Sequence, residues 1–298
     1  MGLKRGLAYL LAVQFLITGC KKDNPAEPSV NHAPVIERIS IDRPEPLTDQ
    51  RVNLECIAVD EDEDDTLFYD WRSSNGRIEN PYSRRVSWTS PSTPGTYQIL
   101  VRVEDRERES ATSSKQISVV SRFDTLYVSD DSFIERNNPD YDGYGYLTFL
   151  DIYVNDDFNW FSQIYIKFNN PTTERAIKSA KIRLTINERE YNEETELSCD
   201  IHKIINQWSE ENIMWNNCPR SEITPTLRFL IPTYEGDAKT FYINGDEIIE
   251  LVKSWRTENY GLRMVPLQQR IQKYFYSSEG AEEIEKPEYS PALIIEYE

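Results

Sequence analysis

Six consecutive carboxylates, Asp60, Glu61, Asp62, Glu63, Asp64 and Asp65, form the densest set of potential ligands in the chain. Acids this close repel one another unless water solvates them or a cation gathers them, and Ca²⁺ takes about six to eight oxygens from flexible loops of this kind. A charge run is usually solvated surface and nothing more; if a cation is held there, calcium is the one expected, on Asp60, Asp62, Asp64 and Asp65. Histidine chemistry has little to draw on. His32 and His202 are the only two histidines, so neither a His-based metal site nor a triad assembles from near neighbours. His202 shares a strand face with Asp200, which could orient an imidazole, but no Ser or Cys nucleophile motif accompanies it, and a surface histidine is expected. Glycosidase chemistry needs two carboxylates at a set separation, and 51 Asp and Glu guarantee accidental pairs without singling one out. A nucleophile elbow, a P-loop, a Cys-x-x-Cys and a Gly-rich dinucleotide turn are all missing from a chain with only 11 glycines. What remains is non-covalent chemistry, and the protein is expected not to be an enzyme.

Charge and patterning describe the elements that position those residues. The chain has 298 residues with 51 acidic against 33 basic side chains, a formal charge of −18. Nucleic acid and anionic lipid reward clustered Lys and Arg, so neither is an expected partner. The length suffices for two domains with real cores. Residues 1–19 read as a targeting segment, with Lys4 and Arg5 ahead of an apolar stretch, Leu7 to Ile17, too short to span a bilayer. The ending Ile17-Thr18-Gly19-Cys20 resembles the bacterial lipobox, which implies that Cys20 receives lipid and becomes the first residue. Two or more acyl chains give stable anchoring, so the membrane is met through the lipid alone. Lys21-Lys22-Asp23 is similar to the start of lipoproteins sent to the outer membrane or cell surface. Removing Lys4 and Arg5 takes the formal charge to −20. Residues 20–33, rich in Asn, Pro, Glu and Ser, read as a flexible stalk.

Residues 34–120 alternate apolar and polar in short runs, as half-buried strands of a sandwich do. Val52, Leu54, Cys56 and Ala58 share one face, Leu67, Tyr69 and Trp71 a second, and Tyr97, Ile99, Val101 and Val103 a third. The strand carrying Trp71, the Ser90–Tyr97 approach and the closing Ile117-Ser118-Val119 together resemble bacterial Ig-like and PKD-type modules. Such modules have an acidic turn where residues 60–65 stand. No Cys follows Tyr97 two residues on, so Cys56 is expected to be a buried free thiol.

Residues 122–298 continue in strands. Ala180, Ile182, Leu184 and Ile186 alternate with polar neighbours, as do Leu197, Cys199 and Ile201, and 292–297 reads as a closing central strand. One stretch is helical: Ile248, Leu251, Val252 and Trp255 fall at i, i+3, i+4 and i+7 behind Asp246 and Glu247, and a helix across the sandwich end is expected. Asp124-Thr125, the loop ending Tyr144-Gly145-Tyr146, Ile164-Tyr165-Ile166-Lys167-Phe168 and Ser179-Ala180-Lys181-Ile182-Arg183-Leu184 follow the order of the DNRLRE domains. So do Trp208-Ser209-Glu210-Glu211-Asn212-Ile213-Met214-Trp215-Asn216-Asn217 and Phe275-Tyr276-Ser277-Ser278-Glu279. Those domains are classed with carbohydrate-binding module family 96, β-jelly-rolls accessory to polysaccharide-degrading enzymes. The resemblance implies binding of extracellular polysaccharide. Sugar rings offer C–H faces to aromatics and hydroxyls to fixed polar groups; Tyr144, Trp160 and Tyr260 are the stacking residues expected here, with Arg263 and Lys273 as polar anchors. Trp208 and Trp215 are assigned to structure, plugging the sandwich end. Cys199 and Cys218 are expected to form the one disulfide, against two separate thiols, provided that the 216–219 loop folds over the core end of the strand.

The expected protein is therefore all-β: an Ig/PKD-like β-sandwich followed by a β-jelly-roll sandwich with one short helix, anchored by lipid and binding polysaccharide. The alternative is a structural or adhesive surface protein that makes protein–protein contacts without a sugar site.

Overall fold

The computed structural model describes residues 30–62, 66–187, 195–233, 239–268 and 270–298. Seven strands form the first sandwich: β1 (Val35–Ile41), β2 (Arg51–Val59), β3 (Phe68–Ser73), β4 (Arg77–Glu79), β5 (Arg85–Thr89), β6 (Gly95–Glu104) and β7 (Ser110–Val119). They make two antiparallel sheets, ordered β1-β2-β5-β4 and β3-β6-β7. Alternation puts Val52, Leu54 and Cys56 of one sheet against Trp71, Ile99, Val101 and Val103 of the other, all buried. Tyr97 makes a tyrosine corner, its hydroxyl donating to the Thr93 carbonyl at 2.8 Å. Cys56 is a buried free thiol, as expected, and burial pushes it up to about 11.

Ten strands form the second sandwich: β8 (Phe123–Glu135), β9 (Phe149–Asn155), β10 (Trp160–Phe168), β11 (Ile177–Ile186), β12 (Leu197–Lys203), β13 (Leu227–Ile231), β14 (Lys239–Asn244), β15 (Leu262–Pro266), β16 (Gln272–Tyr276) and β17 (Ala292–Tyr297). Neighbours run β13-β12-β15-β10-β8-β17-β11-β16-β9, with β14 on β11; β9 also pairs with β10, so the strands wrap into a jelly roll. The inward residues of each strand, among them Phe133, Ile164, Ile166, Leu184, Ile201, Met264 and Leu293, build one large core. Helix α1 (Asp246–Trp255) lays Ile248, Leu251, Val252 and Trp255 on that core, where Trp255 meets Phe168 at 6.0 Å. A second helix, α2 (Ser278–Glu283), was not expected; Ser277 caps it by accepting from the Gly280 amide.

The two sandwiches are joined by more than the chain. Leu47, from the loop between β1 and β2, is 3% exposed and buried in the second core. It sits in parallel bridge with Val120. Thr48 N–H donates to Val120 O at 2.9 Å, Val120 N–H to Pro46 O at 3.0 Å, and Arg122 N–H to the Thr48 hydroxyl at 3.2 Å. The last residues of the expected stalk are tied down as well: Asn31 donates to Asp105 at 2.9 Å, and the His32 amide to Asp62 at 2.7 Å.

Candidate functional site

On β8 the side chains of Asp131, Phe133 and Glu135 share one face, because a strand repeats every two residues. Glu135, 7% exposed, ends the strand and gathers the polar tips of an aromatic group. Its Oε2 accepts from the Tyr144 hydroxyl at 2.5 Å and from Asn138 Nδ2 at 3.0 Å, while Oε1 accepts from Trp160 Nε1 at 3.2 Å. Asn138 spends its second proton on the Tyr144 oxygen at 3.1 Å. Tyr144 lies in a turn of 3-10 helix over 143–146, with its ring 4.3 Å from Phe133 and 4.6 Å from Tyr141. Burial, and then Glu135, raise the Tyr144 phenol well above its ordinary range, so it stays a donor. Trp160 opens β10 and stands edge-on to Tyr153 at 5.4 Å. Phe161 packs on Trp215 at 5.8 Å beneath the guanidinium of Arg136, and Arg136 pairs with Asp156 at 3.1 Å. Tyr141, Tyr146 and Phe158 stay half or more exposed around this group. The arrangement is an aromatic edge whose rings are braced by one buried carboxylate; it can stack apolar faces and offer hydroxyl and amide partners.

The outer face of β12-β15-β10-β8 is covered rather than wet. The segment after β12 folds back across it, bridged at Ile204–Ser221, and buries Ile134, Tyr165, Ile204, Trp208 and Ile213 in a second, smaller core. Trp208 donates to the Tyr260 carbonyl at 2.7 Å and meets the Tyr165 ring at 5.8 Å.

The model of carbohydrate-binding module family 96 matches residues 122–290, more than half of the chain. The chain belongs to carbohydrate-binding module family 96. Membership makes the second sandwich a carbohydrate-binding module. No curated protein matches the chain. Among solved structures, a nucleoside hydrolase-related protein from Saccharophagus degradans is similar at 20% identity over 30% of this chain, with a TM-score of 0.24; this chain spans only 26% of it. A carbohydrate-binding module of the β-sandwich superfamily is similar at 13% identity, covering 90% of this chain and 98% of its own, with a TM-score of 0.28. The PKD domain of the KIAA 1837 protein is similar at 23% identity over 26% of this chain and 79% of its own, with a TM-score of 0.20. Likeness at this level bears on no functional question.

Within the family 96 module the residues expected at a sugar site do not all meet. Tyr144 and Trp160 come together at Glu135, but Tyr144 is only 8% exposed and serves as a strut. Tyr260 packs on the smaller core, and Arg263 pairs in register with Tyr165 and His202 beneath the covering segment. Lys273 is 0% exposed on β16 and faces no solvent, so it forms no surface patch with Arg263. His202 is also a correction: the covering segment buries it, and its Nδ1 lies 3.0 Å from the Glu222 carbonyl. Asp200 pairs with Arg228 at 2.8 Å instead of orienting the imidazole. The expected disulfide is not formed. Cys199 faces the main core and Cys218 packs on the smaller one, so the sheet separates two free thiols. Trp208 and Trp215 are structural, but they cover the outer face of the sheet instead of plugging its end.

Of the expected calcium ligands in the first sandwich, Asp64 and Asp65 lie outside the described residues, as does Cys20. Asp62 is engaged by His32, whose amide and ring nitrogen lie 2.7 and 3.2 Å from its oxygens. Asp60 accepts from the Asp62 amide at 3.0 Å. The residues that sequence reasoning missed are Glu135 and Asn138, the polar centre of the aromatic edge.

Proposed function

We propose that this protein is a lipid-anchored surface protein whose family 96 module binds extracellular polysaccharide without transforming it. The observation that carries the proposal is the family match across residues 122–290. The aromatic edge supports it. Trp160, Phe158, Tyr141 and Tyr146 offer ring faces at one end of the sandwich, where the C–H face of a sugar stacks. Arg136 and Asn138 stand among them for hydroxyls. A formal charge of −20 after removal of residues 1–19 repels uronates beyond a Debye length of about 8–10 Å, and with Lys273 buried the expected Arg263–Lys273 patch does not offset that, so neutral chains are the preferred ligands. Among the described residues no helix is long and apolar enough to cross a membrane, and lipid on Cys20 supplies the attachment.

Affinity gels cast with neutral and with uronate-rich polymers test this reading. The full chain is expected to be retarded on at least one neutral polymer. Phe158 is 76% exposed, so Phe158→Ala removes a ring face without touching the core, and about 2–10-fold weaker retention is expected from the loss of one stacking contact. Trp160→Ala, which also loosens Glu135, should abolish retardation. An absence of retardation on every polymer would overturn the proposal and leave the adhesive reading.

A further inference from the structure

In the first sandwich the outer face of the β1-β2-β5-β4 sheet is hollowed. The hollow encloses about 420 Å³, within the roughly 300–1,000 Å³ that small-ligand sites occupy. Strand alternation explains it: the outward residues at its centre, Ser40 on β1, Asn53 on β2 and Ser87 on β5, are small, and the longer Arg51, Arg85 and Glu79 stand around them. Their polar groups form one chain of hydrogen bonds. Asn53 Nδ2 donates to Asp42 at 2.8 Å and the Ser87 hydroxyl donates to Asn53 Oδ1 at 3.1 Å. Arg51 Nη2 then donates to the Ser87 hydroxyl at 3.1 Å and pairs with Glu79 at 2.8 Å. The loop between β4 and β5 supplies Asn80 and Ser83 to the lining. That loop is pinned to the opposite sheet, because Trp71 donates its amide to Pro81 O at 3.0 Å and its indole Nε1 to Ser83 O at 2.9 Å. The same loop carries Tyr82, which is 77% exposed and belongs to no core.

We infer that this hollow, with Tyr82 beside it, is a second carbohydrate site that takes a neutral sugar unit. Charge selects that ligand class. Both guanidiniums in the lining are already paired, Arg51 with Glu79 and Arg85 with Glu55 at 3.2 Å, and Asp42 adds a third carboxylate, so no spare cation is left for a uronate, sulfate or phosphate. A sugar hydroxyl both donates and accepts, and the lining meets it with both kinds of partner. Asn53 keeps its second amide proton and Arg51 its remaining guanidinium protons, while Asp42 and Glu79 keep lone pairs. These groups are held by one another, and the loop by Trp71, before a ligand arrives, so little ordering is left to oppose binding. Tyr82 adds the aromatic surface on which the C–H side of a pyranose stacks. The choice of a sugar extends the polysaccharide reading of the family 96 module to the first sandwich, but the hollow binds or fails independently of the aromatic edge.

The test is nuclear magnetic resonance on the isotope-labelled full chain, titrated to millimolar concentration with cellohexaose, maltohexaose, xylohexaose and mannohexaose in turn. At least one of these sugars is expected to shift the Asn53 side-chain amide together with the backbone amides of the 79–87 segment. The same shifts should appear in Trp160→Ala, which disables the aromatic edge and leaves the hollow intact. Tyr82→Ala should weaken this binding about 2–10-fold through the loss of one stacking face, and Asn53→Leu, which fills the hollow and removes its central amide, should abolish it. Both residues are exposed, so the rest of each variant's spectrum should remain that of the folded wild type. Shifts at the aromatic edge alone would overturn the inference and leave the polysaccharide reading of the family 96 module standing; shifts at the hollow alone would support the inference and count against the edge. An absence of shifts at the hollow with all four sugars, or shifts there that survive unchanged in both Asn53→Leu and Tyr82→Ala, also overturns it.

Discussion

Glu135→Gln isolates the contribution of the carboxylate that braces the aromatic edge. In the wild type two oxygens accept three donors, from Tyr144, Asn138 and Trp160, at a site 7% exposed. Glutamine keeps one acceptor and replaces the other by a donor. With its oxygen toward Tyr144 and Asn138, the amide nitrogen meets Trp160 Nε1–H donor to donor; turned over, it meets two donors instead. Hydrogen bonds to a charged group contribute about 1.5–3 kcal/mol against roughly 0.5–1.5 for neutral ones, and a buried donor left facing a donor costs about 1–3. One lost bond and two weakened ones come to about 3 kcal/mol, a fall of roughly 6–12 °C in the melting of a unit this size. Calorimetry on the full chain reads that shift. Tyr144→Phe should cost less, and the double variant should fall short of the sum, because both changes remove the same bond. A Glu135→Gln protein within about 0.5 kcal/mol of the wild type, or strict additivity with Tyr144→Phe, would refute the hub.

The second sandwich should lose stability as pH rises. Burial first, and then the charge on Glu279, push Asp131 up to about 7. A carboxyl raised above its unfolded value favours the folded state at acid pH and ceases to do so through its folded pKa, so the loss spans about pH 4 to 7. Thermal melts across that range should flatten in Asp131→Asn; a wild-type curve level from pH 4 to 8 would contradict the burial argument. Cys20→Ala should leave the chain without lipid and move it to the aqueous phase in detergent partitioning, and retention in the detergent phase would count against the anchor. In native protein Cys218, partly exposed, should alkylate before the buried Cys56 and Cys199; a 199–218 cross-link in a non-reduced digest would reverse the assignment of both thiols as free.

What could be read in the sequence follows from which faces are buried. Val52, Leu54 and Cys56, or Ala180, Ile182 and Leu184, lie on strands with one core face, and a period of two is then visible in the residues themselves. The heptad-like spacing of Ile248, Leu251, Val252 and Trp255 marked α1 for the same reason. The smaller core was not legible because Tyr165, Arg263 and His202 occupy alternate positions that look solvent-facing until a distant segment covers them. Its signal was Trp208, Ile213 and Trp215 in an otherwise polar stretch, too apolar for an open loop. Helix α2 hid behind Gly280, a poor helix former that is needed for its approach to Thr148. Glu135 draws its partners from the loop after β8 and from the first residue of β10, and the neighbouring carboxylates Asp131, Glu210 and Glu279 come from segments roughly seventy residues apart, so no local spacing announces either group.

The Leu47 contact changes how the protein carries load. Any force applied across the two sandwiches, as the proposed function would apply it, runs through residue 121, and a bare linker there would turn as a swivel. Instead the strand-like zip of Pro46 and Thr48 onto Val120 resists sliding, and Leu47 must be drawn out of the neighbouring core before the joint opens, at roughly 2–3 kcal/mol for its buried surface. The junction is a latch, and below its release tension the second sandwich keeps a set angle to the first instead of turning freely about residue 121.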